Sequence, residues 1–331
     1  MVPPRAAGFP AGPADARRWR QRRVTGTSTA QACAYTDEWL RLNGVWAHFQ
    51  DWPAARGEAG GETSGPETIL LLHGLTQQSH AFDAAAARLS RRHRCLALDL
   101  RGRGESGWAA GTYDIPHYVA DVLALLDALG LHAVHVLGTS LGGLIGLSLA
   151  GVAPDRLRSL ALNDIGPEID PRGAARVAAY TANIPERFPD LAAAARWALA
   201  QYPWLRGLAS EAVTEAIRWA VRRTPDAGWR FKCDPAVGRA PRPAPEAARA
   251  ASRAWWTAFE ALRCPMLLVR GAESDILSRE VAGAMEVRQP RLRRVDVEGV
   301  GHAPSLAEPA AVAALDAFYL TGGRAEPSRR G

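Results

Sequence analysis

Three side chains in this 331-residue chain could together make and use a nucleophile: Ser140, Asp275 and His302. Ser140 sits in Gly138-Thr139-Ser140-Leu141-Gly142. A serine hydroxyl attacks an acyl carbon only when a base removes its proton, and the base needs an acid to orient it. His302 lies in Glu298-Gly299-Val300-Gly301-His302-Ala303-Pro304, whose glycines allow a tight loop that can carry an imidazole over a sheet edge. Asp275 closes Gly271-Ala272-Glu273-Ser274-Asp275. The order along the chain is Ser, Asp, His, and the chemistry such a set performs is acyl transfer through a covalent serine intermediate.

The elements that must position these groups are legible around them. Ala133 to Leu137 is a short valine-containing apolar run, and from Leu141 the chain is apolar at helical length. A strand that turns at once into a helix strains the residue at the apex and crowds the positions two residues either side, which therefore read glycine. The turn lifts the Ser140 hydroxyl clear of the sheet and leaves the Leu141 N–H at a helix start, aimed at whatever the serine attacks. Both partners follow predicted strands, Met266–Arg270 for Asp275 and Leu292–Val297 for His302, at the strand ends where open α/β sheets place their sites.

Upstream, Trp39–Leu42 and Val45–Phe49 flank Asn43-Gly44, a strong hairpin signal. Thr68–Leu72 is a continuous apolar run, as in a strand covered on both faces, and ends in His73-Gly74-Leu75-Thr76. A helix is predicted over 81–89, a strand over 94–98, a helix over 116–129 and a strand over 157–162 followed by Asn163-Asp164. This alternation argues for a parallel sheet between helices. It stops over residues 168–245, which read as helices and loops, and resumes with a helix over 245–262, another over 279–286 and a closing one over 309–320.

The bulk numbers fit a globular chain with a sizeable core: 47% hydrophobic and 22% charged residues. The net charge of +6 comes almost wholly from residues 1–35, which hold six arginines and one aspartate and leave 34 basic and 33 acidic residues elsewhere. The basic balance thus belongs to a tail, expected to be disordered, and no nucleic-acid face is expected. Residues 321–331 read as a second polar tail. Cys33, Cys95, Cys233 and Cys264 are scattered and suggest neither a disulfide framework nor a metal site. No run reaches the roughly 18–20 apolar residues of a membrane span, and no secretory signal is seen, so a cytoplasmic location is expected.

The chain resembles the α/β-hydrolase superfamily. The resemblance runs from about residue 36 to 320 and is carried by the elbow 138–142, the acid loop 271–275, the histidine loop 301–302, His73-Gly74 and the run Asp99-x-Arg101-Gly102-x-Gly104-x-Ser106. It implies a mostly parallel central sheet flanked by helices, with core segments 36–163 and 246–320 and a helical cap inserted at 164–245. It also implies that the Leu75 N–H is a second oxyanion donor beside that of Leu141. His73 is read as fixing its loop through hydrogen bonds rather than titrating, and Arg101-Gly-Arg-Gly, which could suggest phosphate binding but lacks a Walker pattern, as structural. Asp164 is the alternative position of the acid in this superfamily.

Serine at the elbow, where haloalkane dehalogenases and most epoxide hydrolases of the superfamily carry aspartate, favours cleavage of an ester, thioester, lactone or amide. The expected partners are a small or medium apolar acyl substrate and water, with no metal or organic cofactor. The same triad could serve a C–C bond hydrolase or a cofactor-free perhydrolase, and the fold also hosts non-catalytic ligand-binding members. Tyr180, Phe188, Trp197, Tyr202, Trp204, Trp219, Trp229 and Phe231 either line an acyl pocket or pack the cap.

Overall fold

The computed structural model describes residues 35–55, 67–109, 111–202, 205, 210–239 and 244–320. Of the tails expected over 1–35 and 321–331, residues 1–34 and 321–331 lie outside the described residues, as do residues 56–66 and Trp204.

The chain opens with two antiparallel strands, β1 (Thr36–Leu42) and β2 (Val45–Trp52). Asn43 and Gly44 join them with φ of 46° and 84°, the left-handed pair that a two-residue hairpin requires. Then come β3 (Thr68–Leu72), β4 (Arg94–Leu98), β5 (Val134–Thr139) and β6 (Leu157–Asn163). Numbering two short strands of the inserted segment β7 (Val221–Arg223) and β8 (Trp229–Phe231), the sheet is completed by β9 (Met266–Gly271) and β10 (Leu292–Val297). Its order is β1-β2-β4-β3-β5-β6-β9-β10, parallel from β4 onward. The strand order reverses between β3 and β5, so a crevice opens above their C-terminal ends.

Every residue of β3 is buried, and alternate side chains feed opposite faces. Leu70 and Leu72 join the apolar layer under helices α2 (Ile115–Ala128), α3 (Leu141–Val152), α8 (Pro245–Ala261) and α9 (Arg279–Arg288). Ile69 and Leu71 join the layer under α1 (Asp83–Leu89) and α10 (Pro309–Leu315), whose last turn, residues 316–320, widens into a π-helix. Both faces are therefore apolar, as the unbroken runs of valine and leucine require.

Between β6 and α8 the chain forms α4 (Pro171–Ala182), α5 (Leu191–Gln201), α6 (Ser210–Ala220), the β7–β8 hairpin and the short α7 (Pro235–Gly238). The hairpin corrects the expectation of helices and loops alone. Its strands are three residues long, too short for an alternating pattern, and are set by a turn in which Ala227 takes φ 62°. The segment carries its own apolar cluster, with Phe188, Val213, Ile217 and Phe231 buried in it. Asp234 ties it to the sheet side: its N–H donates to the Gly102 carbonyl at 2.8 Å, and its carboxylate accepts from the Tyr113 hydroxyl at 2.5 Å.

Candidate active site

Ser140 is the residue between β5 and α3, held at φ 50°. The glycines around it are there for space. A side chain at Gly142 would run into the Leu72 carbonyl of β3, and one at Gly138 would run into the backbone of Gly142 and Gly143. The Ser140 N–H donates to the Asn163 carbonyl at 3.0 Å, and the Ser140 carbonyl accepts from Gly143 and Leu144 as the helix begins. The Leu141 N–H opens the first turn of α3, where no carbonyl lies one turn back to receive it.

His302 brings its Nε2 to 2.9 Å from Ser140 Oγ. Its Nδ1 lies 2.7 Å from Asp164 Oδ2. Asp164 follows β6 directly, takes φ 55° and is fully buried. Besides His302, its carboxylate accepts from the Gly271 N–H at 2.9 Å and from the Ser274 hydroxyl at 2.7 Å. A carboxylate can only accept, so the proton between it and His302 sits on Nδ1 and the Nε2 lone pair faces the serine hydroxyl. Asn163 steadies the arrangement by donating to Thr139 Oγ1 at 3.0 Å and to the Pro304 carbonyl at 2.9 Å.

The structure corrects the expectation for Asp275. Its carboxylate faces the inserted segment, where Arg176 of α4 donates Nε–H and Nη2–H to it at 2.5 and 2.7 Å. That pairing, against the opposing effect of partial burial, holds Asp275 below its ordinary pKa. The reason is packing. Gly173 of α4 sits so close to the Asp275 carbonyl that a Cβ would collide with it, and the Asp170 N–H binds the Ile276 carbonyl at 2.9 Å. Docked beneath α4, the acid loop offers Asp164 its Gly271 N–H and Ser274 hydroxyl while Asp275 turns away.

The segment after β3 stands across the crevice. Buried His73 accepts the Leu100 N–H on Nε2 at 3.0 Å and donates Nδ1–H to the Gly74 carbonyl at 2.7 Å. Burial pushes its pKa down to about 4, so it stays neutral and acts as a brace. Leu75 lines a small cavity with Ser140 and His302, and its carbonyl accepts from Arg103 Nε at 3.0 Å. Arg103 is completely buried and also donates to the Arg101 carbonyl and the Tyr118 hydroxyl. Arg101 in turn grips Asp121 with two hydrogen bonds of 2.6 Å. The arginine run is thus a scaffold for the loop bearing Leu75.

The cavity over Ser140 measures about 40 Å³ and takes walls from Arg176, Val177, Tyr180 and Tyr202. It adjoins a larger space of about 210 Å³ walled by Ile217, Trp219, Phe231 and Leu306. Of the aromatics singled out above, Tyr180, Tyr202, Trp219 and Phe231 line these spaces. Phe188 and Trp197 pack into the segment's own cluster, Trp197 at 5.4 Å from Phe231 between ring centroids. Arg176 has no motif to mark it, Ser274 stands within the acid loop without being singled out, and Arg103 stands only within a run read as structural.

A family model described as alpha/beta hydrolase fold matches residues 67–309. The chain is 34% identical over 274 residues to a 3-hydroxybutyrate-oligomer hydrolase of Cupriavidus necator, covering 78% of this chain and 90% of that protein. It is 31% identical over 267 residues to a pimeloyl-[acyl-carrier protein] methyl ester esterase of Neisseria meningitidis, with 79% of each covered. A crystal structure of an alpha/beta hydrolase from Novosphingobium aromaticivorans superposes with a TM-score of 0.74 at 28% identity, over 88% of this chain and 99% of that one.

Proposed function

Since the chain belongs to the α/β-hydrolase family and is a hydrolase, we propose that it cleaves carboxylic esters through an acyl-enzyme on Ser140, and that its substrates are short hydroxyacid esters carrying a free carboxylate. The observation that carries the reaction type is the continuous line Ser140 Oγ, His302, Asp164, at 2.9 and 2.7 Å, on the floor of a cavity.

In this reading His302 Nε2 takes the Ser140 proton as Oγ attacks the ester carbonyl. The oxyanion is received by the N–H groups of Leu141 and Leu75. Asp164 holds His302 in the reactive tautomer and balances the imidazolium. His302 then returns the proton to the leaving alkoxide, and water repeats the cycle on the acyl-enzyme.

Two observations support the substrate class. One relative of similar length is a 3-hydroxybutyrate-oligomer hydrolase. Arg176 stands in the wall of the Ser140 cavity, its Nε and Nη2 engaged by Asp275. The remaining Nη1 is left to donate to an anionic end of the substrate.

Hydrolysis of the linear 3-hydroxybutyrate dimer and of p-nitrophenyl butyrate by wild type and Ser140→Ala tests the reading. Turnover of both that disappears with Ser140→Ala supports it. Turnover untouched by Ser140→Ala refutes the acyl-enzyme. Turnover of the nitrophenyl ester alone refutes the substrate class and leaves the reaction type standing.

A further inference from the structure

At the opposite end of the sheet from Ser140, three side chains converge that the proposed reaction does not use. Glu67 immediately precedes β3, His93 immediately precedes β4, and His135 is the second residue of β5. One ring nitrogen from each histidine and one Glu67 carboxylate oxygen lie within 4.8 Å of one another. His135 Nε2 is 3.0 Å from Glu67 Oε2.

The outer contacts of these side chains are those of metal ligands. His93 Nε2 lies 2.9 Å from the Tyr319 carbonyl. A carbonyl can only accept, so Nε2 carries the proton and Nδ1 keeps its lone pair. That Nδ1 is buried and has no hydrogen-bond partner among the described residues. His135 Nδ1 lies 2.8 Å from Ser159 Oγ, which can accept its proton and free Nε2. Arg158 binds Glu67 Oε1 at 3.1 Å and leaves Oε2 turned toward His135. Metal-bound histidines commonly hold their second nitrogen in this way, on a backbone carbonyl or a side-chain oxygen.

We propose that Glu67, His93 and His135 form a binding site for a divalent transition metal of the zinc class, which clamps the base of the sheet to the C-terminal turn. Two imidazoles and one carboxylate match zinc, cobalt, nickel or copper and not magnesium or calcium, which favour all-oxygen sets. Tetrahedral bonds of roughly 2.0–2.2 Å put donors about 3.5 Å apart, so a pair at the 4.8 Å limit would close by roughly 1.3 Å. Glu67 is the ligand free to move, its side chain being 47% exposed. Solvent supplies the remaining coordination. The Tyr319 carbonyl links the site to the last turn of the final helix, so an ion here joins three strand starts to the C-terminal element. His135 and Ser140 are five residues apart along one extended segment, about 16 Å at strand rise, so the ion is structural and not catalytic.

Chelator-treated full-length protein is titrated with ZnCl2 by equilibrium dialysis, and its thermal midpoint is followed with ZnCl2 and with MgCl2. The expected result is one zinc per wild-type chain and a midpoint raised by zinc alone. Glu67→Ala and His93→Gln are expected to weaken binding at least about tenfold, the lower bound for losing even an outer partner. Ser140→Ala, which removes a group at the far end, should bind as wild type does. Zinc binding unchanged in both folded variants, or no zinc binding by wild type, overturns the proposal. Neither outcome bears on the hydrolase reading.

Discussion

Arg103, with no exposed surface, donates its Nε–H to the Leu75 carbonyl at 3.0 Å and so fixes the Leu75–Thr76 peptide, in the turn next to the N–H proposed as an oxyanion donor, against the wall of the Ser140 cavity. Lysine at this position would keep the charge but lose the fork that also holds Arg101 and Tyr118. Displacing an oxyanion donor by about an ångström costs roughly 100-fold in rate. Arg103→Lys is therefore expected to lower kcat by roughly that factor with little change in KM. Steady-state kinetics on a variant whose circular dichroism matches wild type decides it, and an unchanged kcat would detach Arg103 from the oxyanion loop.

Two carboxylates near the site should separate cleanly. Asp164→Asn is expected to reduce kcat by about 10⁴-fold, because the amide favours the wrong histidine tautomer. Asp275→Asn, which touches Arg176 and not His302, should reduce kcat on a neutral ester by less than about tenfold. Comparable losses in both variants would put the acid assignment in error.

Arg176→Gln tests how the substrate is read. A hydrogen bond to a charged group contributes roughly 1.5–3 kcal/mol, or about 10- to 150-fold in affinity. KM for the 3-hydroxybutyrate dimer should rise by that factor, while p-nitrophenyl butyrate should be handled nearly as before. A parallel rise for the neutral ester would mark a loss of pocket shape instead.

His48 supplies a pH dependence independent of catalysis. It is buried between Asp99 at 2.7 Å and Asp37 at 3.0 Å. Burial works against its charge, but the two carboxylates outweigh it and push its pKa up to about 9. A raised pKa in the folded state stabilises fully below the unfolded value of about 6.5 and loses that contribution as pH rises through the folded one. Asp99, which the same pairing holds below its ordinary pKa against burial, stays ionised across this window. Urea unfolding at pH 6 and pH 9.5 should show a fall on the order of 2–3 kcal/mol, and His48→Gln should flatten it. Equal stability at both pH values in wild type would refute the assignment.

What could be seen in the chain followed from local constraint. The elbow was legible because its glycines answer a collision that only glycine avoids, and Asn43-Gly44 because a two-residue hairpin demands left-handed φ at both positions. The choice between Asp164 and Asp275 was not local. β6 and β9 are neighbours, so each offers an acid beside the same histidine loop. What decides is the grip of α4 on the Asp275 loop, through Gly173 and Arg176, together with the φ of Asp164. Those contacts join residues about a hundred positions apart, beyond any pattern of spacing. The three-residue strands of the inserted hairpin were hidden for want of length.

Asn163 reaches in two directions, to Thr139 beside Ser140 and to Pro304 two residues past His302. A single amide that spans both neighbours makes their displacements correlated. A shift of the histidine loop would load the same amide that holds Thr139 at the end of β5, so the two neighbours are expected to move together. The distance between Ser140 and His302 is thus expected to depend less on the position of the loop than it would between two independently anchored residues.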